Sequence, residues 1–408
     1  MTFLGSNARP IRSELAAAPD AALSRIVSML DTLESRGDAD DMLAGVRPRL
    51  RLLRPSRPMR LARLLALPLE GALVTPTAWA RAPWEIPRSA LAPLLASVRN
   101  ALGNEAADIE AECVGRDMDD VEAVARLGAR LWQRAGAVSL SMRPHDWDSV
   151  GLPAPAVGLV AGLATALWRH GEALFAARLA AAEGPPEPVL RATLTTLAPE
   201  GAGVVAAAAM FILRDAAAPA RVAWVASELA PTVVRVALRA VGEALTAHSA
   251  AVASARGTGE MADSAEALLQ RMNDAEEYDP PLDREARRQQ RLGLRREAAA
   301  TCMDRFATDL QTEVAKHATA LMLQPSRIPD AAFQALEATA RNLRRLERAG
   351  RRLGEAPGFD RALAKITDTL LQLADKGRGM SRMDLARLIE IIAGTETALQ
   401  LLPQSPSL

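Results

Sequence analysis

With 408 residues and no net charge (49 basic residues against 49 acidic), the chain is long enough for two or three domains and carries no overall attraction for nucleic acid or a membrane surface. Hydrophobic residues at 49% and charged residues at 24% exclude wholesale disorder. Two cysteines far apart in sequence, Cys113 and Cys302, exclude a zinc spacing or a disulfide-stapled secreted domain, and point to a reducing, cytoplasmic setting.

Aromatic residues are only 3%, with Tyr278 the single tyrosine, whereas alanine, leucine, arginine and glutamate abound. That balance predicts an all-α protein. The only lysines are Lys316, Lys365 and Lys376; so strong a skew to arginine reads as GC-rich, bacterial coding bias rather than selection for phosphate recognition. Residues 1–19 read as a flexible tail, and Met1 to Ala18 lack the apolar stretch of a signal peptide.

Residues 20–150 read as a helical region. Its first helix is predicted at about Asp20 to Arg36, capped by Asp20, with Leu23, Ile26, Val27 and Leu30 at helical spacing. A Pro/Arg-rich extended segment, 47–88, interrupts it. Pro48, Pro55, Pro58, Pro68, Pro76, Pro83 and Pro87 forbid a long helix there, leaving room for a short one over Pro58 to Leu67. Helices resume near Ser89 and run to about Ala135. The uncharged run Ser149 to Trp168 is broken at its start by Pro153 and Pro155. What remains spans roughly 20 Å at 1.5 Å per residue, too short for a bilayer core of about 30 Å, so a buried helix is expected.

Residues 151–260 read as an Ala-rich helical-hairpin region. Leu197-Ala198-Pro199 recurs as Leu229-Ala230-Pro231, each followed by a mostly apolar helix, which fits a short solenoid or a chance repeat in an alanine-rich chain. An acidic, proline-bearing turn ending at Pro281 marks a boundary. Beyond it, residues 282–402 are expected to form an antiparallel four-helix bundle. Leu292, Ala299, Met303, Phe306, Leu310, Val314, His317 and Leu321 form one apolar seam on a helix of Leu282 to Gln324, followed by helices over Asp330 to Leu353, Phe359 to Lys376 and Ser381 to Leu402. Ser381 and Asp384 make a capping box for the last.

Two basic features stand out. Arg47, Arg49, Arg51, Arg54, Arg57, Arg60 and Arg63 occur without an acid among them, followed by Trp79, Arg81, Trp84 and Arg88. Arginines contact phosphates and indoles stack on bases or sit at a lipid interface, so this segment could bind an anion. The competing expectation is internal neutralisation by the acidic block Glu105, Asp108, Glu110, Glu112, Asp117, Asp119, Asp120 and Glu122, with the tryptophans as core anchors. The second feature is a stripe of Arg341, Arg344, Arg345, Arg348, Arg351 and Arg352 opposite Leu336, Leu343, Leu346 and Leu353. Glu337 can pair with Arg341, but the stripe reads as largely uncompensated within its own helix. Arg284, Arg287, Arg288, Arg291 and Arg295 share a face of the preceding helix. Such stripes form a groove for an acidic partner or a plain solvated face.

Chemistry is sparse. His317, with Glu313 and Asp309 one and two turns before it, could hold a metal or serve as a hydrogen-bonded core histidine. Gly377-Arg378-Gly379 could make an anion-binding turn, and Pro55-Ser56-Arg57-Pro58 fits P-x-x-P, both weak patterns. Phosphate-loop, nucleophile-elbow and dinucleotide fingerprints do not occur. The leading expectation is therefore a non-catalytic interaction or scaffold protein without a cofactor, binding another protein or a second copy of itself. An anion-binding module for nucleic acid or an anionic membrane surface is the second expectation, and a helical-bundle enzyme with a site near His317 is the third.

Overall fold

The computed structural model describes residues 14–15, 17–30, 43–46, 49–50, 57–75, 78–138, 147, 150, 152–184, 187–230, 234–322, 330–354, 356–374 and 382–399. Among them the fold is all-α, apart from a two-residue parallel pairing of β1 (Leu73–Val74) with β2 (Ile86–Pro87). No helix among them is long and apolar enough to cross a membrane. The chain divides into two compact units: Met1–Val241 with Asp274–Leu282, and Gly242–Asn273 with Asp283–Leu408. The N-terminal half of the expected tail, the end of the first predicted helix, the Gly377 to Gly379 turn and the Ser381 end of the capping box lie outside the described residues.

In the first unit, α1 (Asp20–Leu30) buries Leu23 and Val27, and α2 (Leu61–Ala66) fills the place predicted for a short helix after Pro58. Pro68 stands four residues after Leu64, where an α-helix would have supplied an N–H to the Leu64 carbonyl. The chain tightens instead into a 3₁₀ turn, Leu67–Leu69. The Leu64 carbonyl accepts the Leu67 N–H, and both it and the Leu65 carbonyl take a further bond from outside. Trp132, on α5 (Val121–Ala137), donates its indole N–H to Leu64 at 2.6 Å; Trp168, on α6 (Ala154–Arg169), donates to Leu65 at 2.7 Å. Both indoles are wholly buried.

Three glycines make room for this arrangement. A Cβ at Gly128 would lie 2.5 Å from the Trp132 ring. One at Gly171, the first residue of α7 (Gly171–Glu183), would lie 2.8 Å from it, and one at Gly136 would lie 2.7 Å from the Arg169 backbone. Helices α5, α6 and α7 can therefore approach closely, with Phe175 tilted against Trp132 at 5.7 Å between centroids. Asp120 caps α5 by accepting the Ala123 N–H. Between α2 and α5 run α3 (Leu91–Leu102) and α4 (Asn104–Cys113). Beyond α7, α8 (Glu187–Leu197) and α10 (Pro219–Leu229) pack on each other and on α9 (Ala202–Leu213), which is apolar on every side and almost wholly buried. Asp274 belongs to the same unit and accepts the Ala220 N–H at the start of α10.

In the second unit, the predicted long helix is α13 (Arg284–Asp309), a π turn over Leu310–Ala315, and α14 (Lys316–Met322). The turn adds a residue to the helical repeat. The buried positions become Ala299, Cys302, Phe306, Leu310, Val314 and Ala318, and His317 turns outward at 61% exposure. This corrects its expected place in the apolar seam. Helices α15 (Asp330–Leu353) and α16 (Ala356–Ala374) pack on this element and on each other; α17 (Arg382–Ala393) packs on both, and α18 (Thr395–Leu399) packs on α17. Phe306 meets Phe359 at 5.1 Å, and Gly350 leaves space for the Phe359 ring. Helices α11 (Val234–Ser254) and α12 (Thr258–Glu277) complete the fold.

Replacing Trp168 by Phe removes a donor from a buried carbonyl while keeping most of the apolar surface. The expected cost is about 1–3 kcal/mol, read as a lowered urea midpoint at unchanged slope. Trp224→Phe, whose indole bonds Glu228 at an exposed position, should shift the midpoint far less.

Candidate functional site

Between β1 and β2 the chain makes a loop held by one carboxylate. Glu85 accepts the backbone N–H of Ala80 at 2.8 Å and of Ala82 at 3.4 Å, and its own N–H bonds the Ala82 carbonyl. The loop sits on the first turn of α9 at Gly203, where an added Cβ would stand 2.6 Å from the Pro83 carbonyl oxygen. Arg81 takes the left-handed conformation (φ 60°), which favours glycine, and lays its guanidinium 5.7 Å from the centre of the Trp79 ring.

Opposite the loop lies the start of α6. Pro153 is its extended cap, and one face of its first turns carries Pro155, Ala156, Leu159 and Val160. Leu159 is 65% exposed, although the other face of α6 is in the core. Loop and helix enclose a groove of about 280 Å³ lined by Trp79, Arg81, Pro83, Glu85, Pro153 and Leu159, among others. The Trp79 indole N–H is buried without a hydrogen-bond acceptor among the described residues.

Of the residues proposed from sequence, Trp79 therefore stands in the groove, while Trp84, half-buried nearby, is not part of its lining. Among the described residues, Arg49, Arg57, Arg60 and Arg63 are not in its lining. Arg47, Arg51 and Arg54 lie outside the described residues. Arg49 bonds Asp20 and the Ala18 carbonyl; Arg63 donates to the Pro58 carbonyl at 2.6 Å; Arg60 precedes α2, half-buried. The backbone around Arg57 pairs with the end of the acidic block, the Met118 N–H reaching the Arg57 carbonyl and the Met59 N–H the Arg116 carbonyl. The acidic block finds cations beyond that segment: Glu105 with Arg130 and Arg134, Glu110 with Arg99, Glu112 with Arg126 and Arg130, Asp120 with Arg116. Hydrogen bonds from Arg126 and Arg130 hold the Glu112 carboxyl below the usual carboxylate range.

The second basic feature needs correction, because the α15 stripe is largely compensated. Glu347, almost fully buried, holds Arg344 at 2.7 Å and also Arg351. Glu337, likewise buried, holds Arg341 at 2.9 Å and Arg387 from α17. Arg345 reaches Asp263 and Glu266 on α12, each at 2.6 Å, and these hydrogen bonds raise its pKa; Arg351 also pairs with Asp360. Only Arg348 and Arg352 remain exposed without a carboxylate partner among the described residues of that stripe. On α13, Arg291 is buried and Arg288 lies beside Glu285.

His317 Nδ1 lies 2.8 Å from the Glu313 carbonyl oxygen at the surface, whereas Asp309 is buried with Arg305 and Thr258. The three are thus not brought together, and among the described residues no group of three His, Cys, Asp or Glu could hold a metal ion.

Sequence reasoning missed Leu159 and the two prolines as site residues. The signal was there: the uncharged run from Ser149 carries more apolar surface than one buried helix face can use. In comparisons with known proteins, no family model, no curated protein and no solved structure matches the chain.

Arg345→Glu places a third carboxylate between Asp263 and Glu266 and should lower stability by about 1 kcal/mol. Arg348→Glu, three residues on, should stay within about 0.5 kcal/mol of wild type. Chemical denaturation of both variants checks the contrast.

Proposed function

We propose that the chain is a non-catalytic helical interaction protein that takes a segment of a protein partner into the groove between the 78–85 loop and α6. One observation carries the reading: an apolar groove with a large, well-exposed leucine on a helix whose opposite face is in the core. Apolar surface of that kind, concave and rimmed by a few polar groups, is what peptide-binding sites present. The engagement of Arg49 and Arg63 and of most of the α15 stripe by groups of the protein's own supports a protein partner over nucleic acid or an anionic membrane. Cys113 and Cys302, both free and buried, support a reducing, cytoplasmic compartment.

Affinity capture from native extract tests the reading, using the full chain and its Leu159→Arg variant side by side. The expected result is a protein retained by wild type, lost with Leu159→Arg, and only weakly affected by salt. Recovery of nucleic acid whose retention falls steeply between about 50 and 200 mM salt would overturn it. So would protein retention indifferent to the substitution. Light scattering on the purified chain identifies the case in which the partner is a second copy.

A further inference from the structure

We infer that the occupant of this groove is an apolar peptide segment carrying a carboxylate, which Arg81 leaves the Trp79 ring to meet. The inference rests on the groove being the partner site, and deepens it by naming the chemistry of the partner.

Charge is the first argument. Arginines of this unit are widely paired: Arg99, Arg126, Arg130, Arg169, Arg178, Arg191, Arg214 and Arg221 each reach a carboxylate. Arg81, exposed on the rim of the groove, has none among the described residues and rests on an aromatic face instead. Glu85 is the one acid in the lining, and its carboxylate accepts the amides of Ala80 and Ala82. It fixes the loop and makes no ion pair with Arg81 among the described residues. On the facing wall, α6 begins with no acidic residue in its first turn and no side-chain cap, adding the positive end of a helix dipole to the same space. The groove therefore combines an apolar lining with a guanidinium that has no ion pair among the described residues and can meet an incoming carboxylate.

Conformation is the second argument. Arg81 holds a positive φ that only glycine adopts without strain, and the buried Trp79 N–H lacks an acceptor. Both costs fall on the loop. A segment that draws the guanidinium away by its carboxylate uncovers the indole face for an apolar side chain and brings oxygen atoms towards the indole N–H. A phosphate group satisfies the charge but makes no use of Leu159, Pro153 or Pro155. Carboxylate and apolar side chain together use both walls.

The experiment pans a display library of random dodecapeptides on the immobilised full chain, then on Arg81→Glu and Leu159→Arg. Wild type should enrich peptides with Asp or Glu next to apolar residues. Arg81→Glu should lose these and favour Lys or Arg in their place; Leu159→Arg should lose them altogether. Arg81→Gly, measured by fluorescence anisotropy with a selected peptide, should bind about tenfold more weakly or worse. Its thermal midpoint should equal or exceed that of wild type, because glycine relieves the positive φ, and this separates a binding role from a structural one. If Arg81→Glu keeps the same acidic peptides at unchanged affinity, the carboxylate inference is overturned while the groove reading stands. If Leu159→Arg keeps them, or wild type enriches none, both are overturned.

Discussion

Two indole N–H groups reaching the consecutive carbonyls of Leu64 and Leu65 are the constraint on which the first unit depends. Pro68 has no N–H to offer Leu64, so α2 ends with carbonyls facing into the core. The Leu64 carbonyl already accepts the Leu67 N–H, and the Trp132 bond adds to it; a buried carbonyl left unbonded costs about 1–3 kcal/mol. Both indoles reach these carbonyls only with α5 and α6 against α2, and Gly136 and Gly171 leave room where α5 meets Arg169 and the start of α7. The proline-rich stretch is thereby fixed to the helical core. Glu70, the first acid after it, extends the attachment by pairing with Arg178 of α7 and with Arg214.

The second unit solves a different problem with the same residue type. Two carboxylates on α15, Glu337 and Glu347, are almost fully buried, and an unpaired charge there would be prohibitive. Each is clasped by two guanidiniums, one pair bringing in Arg387 of α17, the other lying beside a further bond from Arg344 towards the Ile392 carbonyl. Removing one partner of such a set is costly, whereas the intact set fixes the rotation of α15 against its neighbours. Arginine suits the task because its planar fork bonds several oxygens at once.

How much of this the sequence conveys depends on how far apart the partners are. The all-α fold, the short helix after Pro58 and the leucine face of α15 follow from patterns within a few residues, and all are present. Glu347 was also legible, three residues after Arg344 and four before Arg351, which is ion-pair spacing. The tryptophan bonds span 68 and 103 residues, and no local pattern announces them. The π turn is subtler. Leu310, Val314 and His317 keep a regular three-four spacing, and only the packing of Val314, Ala315 and Ala318 reveals the extra residue that turns His317 outward. Trp79 was marked by its interleaving with cations; Arg81 lies over its ring, whereas Arg49 and Arg63 bond groups of the protein's own.

The groove differs from the rest of the molecule in where its costs fall. Elsewhere many arginines reach a carboxylate of the protein's own, as consistency between local and global structure demands. At the 78–85 loop three departures coincide within one site: a non-glycine residue at positive φ, an indole N–H without an acceptor, and a leucine held out of the core. Loop weakness does not explain them, because Glu85 bonds two of the loop's own amides and Gly203 lets Pro83 sit directly on α9. A loop firmly attached at its base thus carries a positive φ at its tip. Surrounding packing can maintain such a residue at a cost of about 1–3 kcal/mol, and walls already in place need no ordering when a segment binds, which favours affinity.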